Sequence, residues 1–217
     1  MKKLVALIVF LAASTTMAQP SPVPIVIDGQ FDPAEWAAAT NYAFTVNLPA
    51  GGATSGQLYI INDKNNLYIC MRVQEPATQA AESFAIDFDA PSRDNAIGPG
   101  DDGLVLSIFG FCARQKVFAD DFWYSGAPPC PAGALCSGKD TDFGGTSDGN
   151  GAVDNDGAWT TFELWHPLAS GDLAHDIHFK HRDELKFRVE QVGIDATNTM
   201  ALMFYPAQTQ LATYVIR

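Results

Sequence analysis

Asp87 and Asp89 stand two apart in Glu82-Ser83-Phe84-Ala85-Ile86-Asp87-Phe88-Asp89, and Asp101-Asp102 follow shortly after. Side chains alternate on a strand, so Asp87 and Asp89 share one face and Phe84, Ile86 and Phe88 the other. Adjacent carboxylates repel unless a cation or a donor separates them. Calcium takes six to eight hard oxygen ligands, which makes Asp87, Asp89, Asp101 and Asp102 a candidate metal set. The competing role is an acidic edge that discourages strand-to-strand aggregation. A second group, Asp148, Asn150, Asp154 and Asp156, lacks EF-hand spacing and reads as a solvated loop.

Aromatic residues supply a different chemistry. A pyranose presents apolar C–H faces that stack on indole or phenol rings, while Asp, Asn, Gln or Arg take its hydroxyls. Phe122-Trp123-Tyr124 cannot all face one core from a strand, so at least one ring turns outward. Trp159 and Trp165 share a face, with core packing expected for one of them. Trp123, Tyr124 and Trp159 are the candidate ligand-binding residues.

His175, His178 and His181 recur at every third position in a region read as a turn, and His166 precedes Pro167 at a strand end. Gly-x-Ser-x-Gly, His-Glu-x-x-His and phosphate-loop signatures do not occur, so no enzyme class is indicated. Four cysteines allow three disulfide connectivities. Pairing Cys130 with Cys136 staples a Pro/Gly-rich loop and leaves Cys70 with Cys112, both in predicted strands. Thiol ligation of zinc is the rival, although no Cys-x-x-Cys is present.

Lys2-Lys3, the apolar run Leu4–Ala13 and Thr16-Met17-Ala18 have the form of an export signal over residues 1–18. That run is about half the roughly 20 residues a membrane-crossing helix needs, so no span is expected and the product is placed outside the cytoplasm, secreted or periplasmic. The formal charge is −12, and losing Lys2 and Lys3 makes it more negative. Such a surface repels phosphate backbones and argues against a nucleic-acid partner.

Positioning these groups falls to strands. Gln57–Val73 reads as a hairpin around Asp63-Lys64-Asn65-Asn66, with Leu67, Ile69, Met71 and Val73 facing the core. Further strands are predicted at 84–88, 103–109, 115–119, 159–165, 185–192 and 213–216. Pro33–Ala39, behind Asp32, reads as a short helix or turn. Residues 19–217 thus form one all-β domain, an antiparallel sandwich of jelly-roll or immunoglobulin-like type with few short helices. Residues 126–157, rich in Gly, Pro, Asp, Ser and Asn, read as a long loop excursion.

Ile27-Asp28-Gly29-Gln30-Phe31-Asp32-Pro33-Ala34-Glu35-Trp36 resembles the Ile-Asp-Gly-x-x-Asp-x-x-x-Trp start of carbohydrate-binding module family 9 and related DOMON-like sandwiches. The strand ending in Leu67–Val73, the acidic strand Glu82–Asp89, the segment Trp159–Leu168 with Phe162-Glu163-Leu164, and Leu185–Val189 resemble later landmarks of that family in the same order. The resemblance implies a non-catalytic module for a polysaccharide or oligosaccharide, with structural calcium. It also implies an alternative, a b-type haem electron-transfer domain ligated through Met71, Met200 or Met203 with His166 or a Lys. A structural cell-surface role, using edge strands for assembly, is the third reading.

Overall fold

The structure is a computed structural model that describes residues 23–48, 51–75, 81–91, 93–109, 116–125, 136–172, 174–194, 199–207 and 210–217. At 81, 91, 109, 116–120, 122–125, 136 and 137 only the backbone is described. The expected export signal lies outside the described residues. Among the described residues no helix is long and apolar enough to cross a membrane.

The hairpin forms because its turn is chemically closed. The Asp63 carboxylate accepts the backbone N–H groups of Asn65 and Asn66, both at 2.7 Å, and Asp63 N–H donates to the Asn66 carbonyl at 3.0 Å. This Asx-type turn joins β2 (Ala53–Asn62) to β3 (Asn66–Gln74). β1 (Thr40–Asn47) extends the pair on one side, and on the other lie β9 (Trp159–Pro167) and β8 (Asn150–Asn155), giving the order β1-β2-β3-β9-β8. The opposing sheet runs β11 (Met200–Tyr205), β10 (Glu184–Ile194), β4 (Ala81–Pro91), β5 (Asp101–Phe109), β6 (Lys116–Ser125), β7 (Cys136–Lys139). β12 (Ala212–Val215) pairs with the first part of β10. Among the described residues all strand pairings are antiparallel, and the molecule is the expected sandwich.

Period-two alternation packs the interior. Leu67, Ile69, Met71 and Val73 of β3 meet Phe162 and Leu164 of β9, with Phe84, Ile86 and Phe88 of β4, Leu104 and Leu106 of β5, and Phe187 and Val189 of β10 across from them, all buried. Pro33–Ala39 forms successive turns rather than a helix: Glu35 and Trp36 N–H both donate to the Asp32 carbonyl, and Asp32 Oδ1 accepts from Ala34 N–H.

Three expectations require revision. Residues 126–157 are not one loop, because β7, a 3₁₀ turn at Asp140–Phe143 and β8 fall within them. β8 reads Asn-Gly-Ala-Val-Asp-Asn and has little intrinsic strand preference, so its pairing along β9 supplies its structure. Cys70 is a free, buried thiol, not half of a Cys70–Cys112 bridge. It lies on β3 between Tyr59 and Glu163, on the outward side of its sheet, whereas Cys112 follows β5 of the opposite sheet in sequence. Cys112 and Cys130 lie outside the described residues, and Cys136 is described only by its backbone. Finally, Trp159 and Trp165 share a face as expected, but both are partly exposed on the outward side of β9 and neither enters the core.

Candidate functional site

Trp159, Thr161, Glu163 and Trp165 point outward from β9, beside Tyr68, Cys70 and Arg72 of β3 and Gln57 and Tyr59 of β2. The N-terminal segment lies across this face. It is held by the buried Glu163 carboxylate, whose Oε2 accepts Asp28 N–H at 3.0 Å and Gly29 N–H at 2.9 Å, and whose Oε1 accepts the Trp36 indole N–H at 3.2 Å. Burial pushes the Glu163 pKa up to about 7 even though these three donors pull it down. The Asp-Gly and Trp of the opening motif and the Glu of the later strand are therefore parts of one clasp. Burial also raises the Cys70 thiol pKa well above its usual value, and the nearby Glu163 charge adds to this.

At the end of the clasp, the Arg72 guanidinium sits 4.2 Å from the Phe31 ring centre and 4.6 Å from that of Trp159. The Phe31 ring also packs 4.9 Å from Tyr59. Arg72 is fixed further by Thr161 Oγ1 at 3.4 Å and Asp156 Oδ2 at 3.6 Å. Backbone N–H groups of Trp159 and Ala158, with Arg72, hold Asp156 below the usual carboxylate range. The result is a partly exposed aromatic and cationic face, with Gln57 and Gln74 nearby as hydrogen-bonding side chains on neighbouring strands. Trp159 is one of the expected ligand residues. Trp123 and Tyr124 are placed only as backbone positions of β6, opposite Gly138 and Ser137 of β7, and their side chains lie outside the described residues.

The expected metal set Asp87, Asp89, Asp101 and Asp102 does not converge. Asp87 is paired with Arg188, whose Nε and Nη2 donate to Oδ2 at 3.1 and 2.7 Å. Asp101 and Asp102 are consecutive on β5, so they face opposite sides. Asp89 and Asp101 instead meet Asp94, with one oxygen from each within 4.8 Å of the others. Asp89 Oδ2 accepts Asn95 N–H, while its buried Oδ1 has no hydrogen-bond partner. Three carboxylates with a free buried oxygen fit a hard cation such as calcium. His175, expected in a solvated turn, bonds Asp172 at 2.9 Å beside Asp140, whose burial raises its pKa to about 6.

Asp102 turns inward and meets Asp121 of β6, His166 of β9 and Asp176 of the segment after β9, all four buried. One ligand-type atom from each lies within 4.8 Å of the others. Sequence spacing could not bring them together, since they come from both sheets and a connecting segment. The available signal was His166, which alternates with Phe162 and Leu164 and so had to point into the sandwich.

This placement also keeps Met71 and His166 from ligating one haem iron together. Met71 pairs with Phe162, four residues along β9 from His166, a separation of roughly 13 Å at about 3.3 Å per residue. Met203 is on β11, three strands from β5, and Met200 is exposed.

No family model and no curated protein matches the chain. Among solved structures, a carbohydrate binding module family 9 domain from Caldicellulosiruptor kristjanssonii in complex with cellotriose aligns at 14% identity, covering 90% of each chain, with a TM-score of 0.51. The fold is that of a family 9 module. A family 9 structure from the same organism in complex with glucose aligns at 14% identity over 91% of this chain and 93% of that one, with a TM-score of 0.48. The opening motif Ile27–Trp36 is the segment clasped by Glu163 over the outer sheet face.

Proposed function

We propose that this chain is a non-catalytic carbohydrate-binding module of family 9 type that acts outside the cytoplasm. The observation that carries the reading is the Phe31–Arg72–Trp159 arrangement on an outward sheet face of this fold. Arg72 covers part of the indole and fixes the ring. The remaining exposed ring surface suits the C–H face of a glucopyranose, with Gln57, Gln74 and Asp156 as hydroxyl partners. A structurally similar domain was solved with cellotriose, which makes β-linked glucose oligomers the first ligands to test. The export-type leader supports the location. Asp89, Asp94 and Asp101 would hold the calcium that the resemblance implies, stiffening the β4–β5 connection at a distance from the sugar face.

Isothermal titration with cellotriose and retention on insoluble cellulose test the reading. The parent is expected to bind, and Trp159→Ala to lose at least about tenfold in affinity, since a stacked ring contributes on the order of 1 kcal/mol beyond its area. Trp123→Ala serves as the second variant. Binding unaffected by Trp159→Ala but abolished by Trp123→Ala moves the platform to β6, and absence of binding to any glycan removes the proposal.

A further inference from the structure

Asp102, Asp121, His166 and Asp176 form a buried polar cluster between the two sheets, outside the sugar face. All four residues are at most 3% exposed, three are acids, and His166 is the one member able to carry positive charge. Asp102 and Asp121 stand on the inner face of one sheet and His166 on the inner face of the other, while Asp176 closes the end between them.

Hydrogen bonding orients the groups without completing them. His166 Nδ1 lies 2.6 Å from the Pro167 carbonyl oxygen, which can only accept, so Nδ1 carries a proton and in the neutral imidazole Nε2 presents its lone pair. That lone pair is 3.5 Å from Asp121 Oδ2 and has no hydrogen-bond partner. Asp121 Oδ2 accepts Asp148 N–H at 2.9 Å, and Asp102 accepts Ile177 N–H at 3.0 Å and Gly103 N–H at 2.6 Å. Asp121 Oδ1 and both Asp176 oxygens are buried and make no hydrogen bond of normal geometry, although the Ser170 and Asp148 side chains lie beside Asp176. Lone pairs from an imidazole and three carboxylates thus converge on one buried point, an arrangement that costs free energy unless a cation sits there.

We infer that Asp102, Asp121, His166 and Asp176 form a buried binding site for a divalent transition-metal ion of the zinc class. Imidazole is a ligand that zinc accepts readily, whereas calcium takes oxygen ligands. The 3.5 Å separation of His166 Nε2 and Asp121 Oδ2 is close to the edge of a tetrahedron around zinc, about 3.3 Å for ligands near 2.0 Å. The backbone N–H groups on Asp121 and Asp102 and the carbonyl on His166 are the outer partners that such ligands normally have. Burial and the neighbouring acids push the Asp176 pKa to about 7 and raise that of Asp102 well above its usual value, the response of carboxylates crowded together away from water. The ion would bridge the inner faces of the two sheets, whereas the sugar face lies on the outer side of β9.

The test uses the full chain, stripped with chelator and then given zinc chloride alone or calcium chloride alone. Expected are one zinc per chain by elemental analysis, a zinc-dependent rise in Tm, and visible d–d absorption when cobalt replaces zinc. Asp176→Asn should weaken zinc binding by about a hundredfold or more, while Asp89→Asn leaves it unchanged. Should His166→Gln fail to fold, Asp176→Asn, placed in a connecting segment, still decides the matter. Equal melting with and without zinc and no retained metal would overturn the site. So would stabilisation by calcium but not zinc, or an Asp176→Asn chain that is more stable than the parent at every metal concentration, the behaviour of a cluster held only by protons.

Discussion

Gly29 and Gly52 have nearly the same backbone, φ +83° and +86°, but different surroundings. A Cβ at Gly29 would lie 2.7 Å from the Val153 carbonyl carbon and 2.8 Å from Asp154 N, both backbone atoms of β8, whereas a Cβ at Gly52 meets nothing within 4 Å. Alanine at either site incurs the left-handed strain of an L-residue, roughly 1–2 kcal/mol. At Gly29 it must also move backbone by almost 1 Å to reach ordinary carbon contact, because optimal separation is about 3.5–4.0 Å. Overpacking of this kind costs about 1–3 kcal/mol, and the movement pulls Gly29 N–H away from Glu163. Gly29→Ala should therefore be about 2 kcal/mol more destabilising than Gly52→Ala, equivalent to a further fall in Tm of roughly 4–8 °C for a domain of this size. Thermal melts of the two variants followed by far-ultraviolet circular dichroism check this. Equal shifts would refute the claim that the N-terminal segment is seated directly on β8.

Glu163→Gln tests the clasp through pH. The folded carboxyl titrates near 7 against an ordinary 4.5, so between those values the native state holds a proton that the unfolded chain has released. Parent stability therefore declines as pH rises through that window and levels above it. The variant cannot titrate, so the parent-minus-variant difference should fall by up to about 3 kcal/mol across the window in urea titrations; a difference independent of pH would show that Glu163 does not titrate there. Cys70 should resist a thiol reagent in the native state and react in denaturant without prior reduction; a need for reductant would mean the thiol is bridged. Asp89→Asn should abolish any calcium-dependent rise in Tm, and an unchanged calcium response would place that ion elsewhere.

Strand identity was legible where alternation is strong: Leu67, Ile69, Met71 and Val73 had to share a buried face, and an Asp/Asn turn before them had to reverse the chain. The same rule separated Asp87 and Asp89 from Phe84, Ile86 and Phe88. Tyr42, Phe44 and Val46 alternate in the same way on β1, a strand the expectations did not include, whereas β8 carried almost no signal, because an edge strand of Asn, Gly and Ala takes its conformation from the neighbour it pairs with. The opening Asp-Gly and Trp were recognisable as a motif, but not as ligands of Glu163, 127 residues beyond Trp36.

What the sequence determined by itself was local: which residues alternate, where the chain turns, and that the fold is all β. The tertiary structure alone decided which chemistry-bearing groups meet. It brought Asp101 to Asp89 and Asp94, paired Asp87 with Arg188, and gathered Asp102, Asp121, His166 and Asp176 from two sheets and a connecting segment. The physical reason is that alternation fixes the face on which a side chain stands, while its neighbours on that face depend on strand order and register, which arise from packing between segments far apart in the chain.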